Sequence, residues 1–135
     1  MAIAGWLLDK SAAARASEPG IALQLAELTG ELCICPVGEL EQLYSARSAT
    51  DYDRLKQELR ASLTVVEPPA DLLQRALELQ GALAHHHGMW HRTPIPDLLI
   101  AEIAVSCGLG IVHVDRDFDR ISEVQTLTAR RLAVQ

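Results

Sequence analysis

Residues 95–119 read IPDLLIAEIAVSCGLGIVHVDRDFD, and this stretch decides the fold. From Leu98 to Val105 it is apolar almost all the way round, with only Glu102 and then Ser106 as interruptions. A helix of that kind packs against protein on both sides. Pro96 before it and Gly108 after it are the expected start and stop marks, with Asp97 opening the helix. Ile111-Val112-His113-Val114 is short and β-branched, as a buried strand is, and it runs out into Asp115-Arg116-Asp117-Phe118-Asp119. A buried helix therefore begins with an acid and a buried strand ends in several. Acids that close to a core carry a desolvation cost, which a positive partner offsets.

Outward from this stretch the chain alternates strand-like and helix-like segments. Residues 3–8 read as a central strand ending at Asp9, residues 32–35 as a second strand closed by Pro36, and residues 63–66 as a third. Helices are expected over 11–17, 21–28, 39–46, 51–63 and 71–86, with Pro19 and Gly20 breaking the first and Asp71 capping the last. A short helix over 118–124 and a final strand over 127–134 complete the order. This alternation predicts an α/β sandwich with a mostly parallel sheet. No repeat, low-complexity tract or linker divides the chain, so residues 1–135 are expected to form one domain.

Composition excludes several classes. With 49% hydrophobic and 22% charged residues, the chain is ordinary globular material. No apolar run approaches the ~20 residues that span a bilayer, and Asp9 cuts the first run too early for a signal peptide. Three cysteines, two of them only two positions apart (Cys33, Cys35), suit a reduced, cytoplasmic protein. A formal charge of −6 argues against binding nucleic acid by bulk attraction, so any such role needs local basic residues or bound cations.

The acids converge on this sketch. Asp9 and Asp115 lie at the carboxyl ends of strands, Glu39 starts the helix after the second strand, and Asp97 starts the buried helix. All four positions belong to the sheet edge where open parallel sheets bind ligands. Carboxylates sharing one cleft repel one another unless a cation sits between them. Hard oxygen ligands select Mg²⁺ or Mn²⁺, ions suited to phosphodiester chemistry.

Four segments in order, LLDKSA, CPVGELEQLYSA, IPDLLIAEIA and VHVDRDFDRI, resemble the acid motifs of PIN-domain ribonucleases. The chain is most similar to the VapC-type toxins of bacterial toxin–antitoxin pairs, over nearly its whole length. The resemblance implies a three-layer sandwich with a five-stranded parallel sheet and an endoribonuclease activity dependent on Mg²⁺ or Mn²⁺. It also implies a homodimer inhibited by a small antitoxin. The catalytic and metal-binding acids it points to are Asp9, Glu39, Asp97 and Asp115, with Asp117 as a fifth ligand. Two departures stand out: Lys10 and His113 occupy positions where small hydroxyl residues are common.

Other residues read as follows. Lys10, Arg92 and Arg116 are the candidates for RNA phosphate contacts, with solvated charge or ion pairing as the plain alternative. His85, His86, His87 and His91 lack zinc spacing and are expected to fray a helix end. Trp90 is expected to pack, Glu41 to be unremarkable and Glu102 to lie within a helical turn of the site. The helices over 21–28 and 39–63 carry surplus apolar residues, where a second copy and an antitoxin would dock. A phosphoacceptor receiver domain shares the architecture but needs an Asp ending the third strand and a late Lys; here stand Glu67 and only Lys10 and Lys56. A non-catalytic interaction module whose acids are helix caps is the other alternative.

Overall fold

The computed structural model describes residues 3–134. Strand β1 (Gly5–Leu8) runs through the middle of a five-stranded sheet. On one side lie β2 (Glu31–Ile34) and the edge strand β3 (Thr64–Val65); on the other lie β4 (Gly110–His113) and β5 (Ala129–Arg131). The order is β3-β2-β1-β4-β5, and every neighbouring pair is parallel. The central strand needs Gly5, because a Cβ there would stand 2.6 Å from the Glu31 carbonyl oxygen across the β1–β2 pair.

Seven helices of the described residues flank the sheet: α1 (Lys10–Ala13), α2 (Pro19–Ala26), α3 (Pro36–Leu43), α4 (Ala49–Ser62), α5 (Leu72–His86), α6 (Ile95–Cys107) and α7 (Asp117–Ile121). Side chains alternate along the strands, and both faces are covered. Leu7 and Ile111 join the larger core with Ile103 of α6, Leu83 of α5 and Phe118 of α7. Trp6 and Val112 point the other way, onto Ala12 of α1 and Ile21 of α2. This is the three-layer sandwich the sequence predicted.

Several boundaries move, and each has a local cause. Pro19 and Pro36 do not end elements; each sits in the first turn of a helix, where its missing N–H has no partner to lose. Asp97 is the third residue of α6 and caps nothing, since the helix begins two residues earlier after Pro94. Asp71 is no side-chain cap either; its carboxylate accepts from Arg75 Nε at 3.0 Å. Gly108 does end α6, in the left-handed conformation (φ 68°) that glycine adopts at helix ends without strain. The last strand is only three residues long, yet its pairing with β4 is parallel and in register, Ile111 opposite Ala129. Among the described residues no helix is long and apolar enough to cross a membrane.

Phe118 is fully buried and anchors α7, whose first residue is Asp117 and which follows directly on the turn that carries Asp115. Phe118→Ala is expected to lower unfolding free energy by about 3–5 kcal/mol. Leu73→Ala, at a position 75% exposed, should change it by less than about 0.5 kcal/mol. Urea titration of the two variants makes the comparison, and equal effects would mean that Phe118 does not anchor α7.

Candidate metal centre

The strand order reverses between β1 and β4: from the centre the chain first adds β2 and β3 on one side, then β4 and β5 on the other. Beyond the carboxyl ends of strands at such a switch point the connecting segments diverge and leave a crevice. β1 runs directly into Asp9, and β4 reaches Asp115 two residues after its end. Asp9 is drawn tight to β4, its backbone N–H donating to the Val112 carbonyl at 2.9 Å. The first turn of α6 brings Asp97 to the same place. Asp9, Asp97 and Asp115 line one pocket of about 270 Å³, together with Lys10, Ser11 and Glu41.

The side chains are held by local bonds. Ser11 donates both its backbone N–H (3.0 Å) and its hydroxyl (2.6 Å) to Asp9 Oδ2. The same hydroxyl accepts the Val114 N–H at 3.0 Å, so one serine ties the first acid to the segment leading to the fourth. Asp115 Oδ1 accepts the Asp117 N–H at 2.9 Å, folding Asp117 back toward the cleft. Ligand oxygens of Asp97, Asp115 and Asp117 lie within 4.8 Å of one another, placed to hold a metal ion.

The electrostatics are those of crowded, desolvated carboxyls. Asp97 is 7% exposed; burial first, then the charges of Asp9, Asp115 and Asp117, push its pKa up to about 8. Burial raises Asp9 as well, against the hydrogen bonds from Ser11. Glu41 is raised by burial and by the Asp9 charge, and its Oε1 is buried with no hydrogen-bond partner. An orphaned carboxylate oxygen among raised acids, with no sulfur or imidazole in the set, fits a hard divalent cation.

Most of the residues expected at the site meet there, but Glu39 does not. It is buried against α4, where Arg60 donates to it from Nε (2.9 Å) and from Nη2 (3.2 Å). The acid of α3 that faces the pocket is Glu41, which the sequence reading passed over. Helical phase was the signal that could have found it: two residues along a helix turn a side chain by about 200°, so Glu39 and Glu41 cannot both face the cleft. Of the three candidate cations only Lys10 lines the pocket; Arg92 and Arg116 are not among its walls. Glu102 is buried elsewhere, accepting from Gln125 Nε2 at 2.7 Å. Trp90 packs on the core, with His86, His87 and Arg120 against its ring. His113 is fully buried beside Phe118, its Nε2 3.6 Å from Asp119 Oδ1.

A parallel α/β sheet with a carboxylate cluster at its switch point defines a class of cation-holding sheet proteins. Within it the assignment is specific: a PIN domain model matches residues 3–124, and the chain belongs to the PIN-domain family. Ribonuclease VapC17 of Mycobacterium tuberculosis is 51% identical over 120 residues, 89% of each chain. Ribonuclease VapC21 of the same organism is 40% identical over 121 residues, covering 88% of this chain and 87% of its own. Among solved structures, VapBC2 from Rickettsia felis bound to a DNA fragment from their promoter superposes with a TM-score of 0.72 at 15% identity, covering 96% of this chain and 99% of that one. VapBC-5 from Mycobacterium tuberculosis gives a TM-score of 0.69 at 19% identity, with the same two coverages. These two likenesses bear on the fold.

A carboxyl whose folded pKa stands above its unfolded value near 3.8 favours folding while protonated and opposes it once ionised. The metal-free protein is therefore expected to lose stability as pH rises from about 4 to about 8. Asp97→Asn should flatten that fall, because the variant keeps the shape and loses the charge. Thermal melts in chelator across this range provide the check; parallel curves for parent and variant would show that Asp97 carries no such penalty.

Proposed function

We propose that the chain is a divalent-metal-dependent endoribonuclease, the toxin of a toxin–antitoxin pair, working as one domain in the cytoplasm. The observation that carries this reading is the meeting of Asp9, Glu41, Asp97 and Asp115, from four separate elements, in one pocket at the sheet's switch point. Its relatives named as VapC ribonucleases support it. We assign the ligand set as Asp97, Asp115 and Asp117 with Asp9 and Glu41, in place of the expected Glu39, and the ion as Mg²⁺ or Mn²⁺. When bound, such an ion supplies a water of lowered pKa and neutralises phosphate charge.

The chain's own residues do the rest. Ser11 fixes the rotamer of Asp9 by donating twice to Oδ2. Asp115 holds the Asp117 backbone, which sets the spacing of those two carboxylates. Lys10 stands at the pocket wall, where its ammonium meets an incoming phosphate that the acids alone would repel. Glu39 supports the site from a distance by clamping α3 to α4 through Arg60. Partner faces are assigned to exposed apolar side chains, Leu23 on α2 and Leu73 and Leu77 on α5, which suit an antitoxin and a second copy.

The expected outcome is RNA cleavage with Mg²⁺ or Mn²⁺ that EDTA abolishes. Asp97→Asn and Glu41→Gln should each lower the rate by orders of magnitude, since a missing ligand disturbs the ion that organises the transition state. Glu39→Gln should cleave at a rate near the parent's while losing about 1 kcal/mol of stability, its partner Arg60 being half exposed. Cleavage that persists in excess chelator overturns the metal mechanism; loss of activity in Glu39→Gln with Glu41→Gln intact reverses the ligand assignment.

A further inference from the structure

The acid pocket does not end at its acids. It shares Lys10 and Glu41 with a second hollow along α3 that Val37, Leu40, Tyr44 and Pro96 line. That hollow shares Leu40 with a third, walled by Tyr52, Lys56 and Arg60 of α4. The three adjoin along α3 as a shallow groove leading away from the acids, interrupted where Leu40, 70% exposed, stands between the second and the third, and walled at its far end by Glu39 as well. The chain has two lysines and two tyrosines, and all four line it: Lys10, Tyr44, Tyr52 and Lys56. Neither lysine enters an ion pair among the described residues, whereas Arg60 is committed to Glu39. Tyr44 is 89% exposed, so intramolecular packing does not explain an aromatic there.

Resting on the ribonuclease reading above, we propose that this groove holds a single-stranded segment of the RNA substrate, with bases stacked on Tyr44 and Tyr52 and phosphates met by Lys10 and Lys56. The chemistry favours this occupant. In a chain of net charge −6, uncommitted ammonium groups in a groove that opens onto a phosphodiester-cleaving pocket are matched to phosphate. Aromatic faces beside them suit unpaired bases, each of which presents a π-face to stack. A duplex would not reach the tyrosines, because its bases already stack on one another. The groove thus selects unpaired RNA and sets which nucleotides flank the cut.

The test uses a short fluorescein-labelled single-stranded RNA of mixed sequence, in Mg²⁺, with the Asp97→Asn protein as background so that the strand stays intact. Adding Tyr44→Ala is expected to weaken binding about tenfold, Tyr44→Leu equally, and Tyr44→Phe hardly at all. Adding Lys56→Ala should reduce the slope of log affinity against log salt by roughly 0.7, one phosphate contact to a single strand. In protein with Asp97 intact, Tyr44→Ala should raise KM more than it lowers kcat. Binding by Tyr44→Leu equal to the parent's would mean that an apolar contact, such as a docked protein helix, is what the groove serves, and the proposal falls. It falls too if the variants bind and cleave like the parent, an outcome that leaves the ribonuclease reading standing. A parent that neither binds nor cleaves RNA with Mg²⁺ or Mn²⁺ sinks both.

Discussion

Carboxyl groups held together in a desolvated cleft repel one another, and the rest of this structure can be understood as what keeps them there. Burial first, and the neighbouring charges after it, raise Asp97, Asp9 and Glu41 from their usual values. Opposing the repulsion are the buried strands β1 and β4, the apolar α6 and the Phe118 anchor, all of which resist the outward motion that would separate the charges. Stability is thereby spent on a site that becomes electrostatically comfortable only with a cation present. That is the usual trade between function and stability at a buried polar centre.

Ser11 shows how economically the arrangement is fixed. Its hydroxyl donates to Asp9 and accepts from Val114, and its N–H donates to Asp9 again. One small side chain thus satisfies the first acid and ties it to the strand that delivers Asp115. The ladder bond from Asp9 to Val112 runs alongside, so two neighbouring strand ends are locked both through backbone and through side chain. Displacing either end would break both links together, which makes the spacing of the acids a property of the sheet and not of a loop.

Much of this was legible in the sequence, because the strongest signals were also the most buried. The apolar run of α6, the β-branched run of β4 and the acids that follow them left little freedom in where Asp97, Asp115 and Asp117 would go. The pattern Glu39-Leu40-Glu41 was different. Which of two acids faces the cleft depends on where the helix starts, and Pro36 reads equally well as the end of a strand or the first turn of a helix. The resemblance in the second acid motif points to Glu39 without fixing that phase, and the helix that starts at Pro36 presents Glu41 to the pocket instead. The paired acid Glu39 looked functional, although its burial is explained by Arg60, a residue 21 positions away that no local pattern announces. Asp71 failed as a cap for a related reason: Arg75 one turn on competes for its carboxylate. Long-range partners, not propensities, decided these cases.

The pairing of β1 with β4 has a further consequence for the life of the molecule. Leu8 lies opposite Val112, so the two strand ends that frame the cleft are separated by about a hundred residues of chain. Such a contact closes late, since the entropy of the intervening loop must be overcome before the strands gain anything from meeting. A chain emerging from the ribosome therefore carries Asp9 and Glu41 for most of its synthesis with nothing to join them. Chemical competence arrives at once, near completion, when the fourth strand docks. A truncated or stalled product is inert for the same geometric reason, and a cell making this protein has until that moment to bring a neutralising partner within reach.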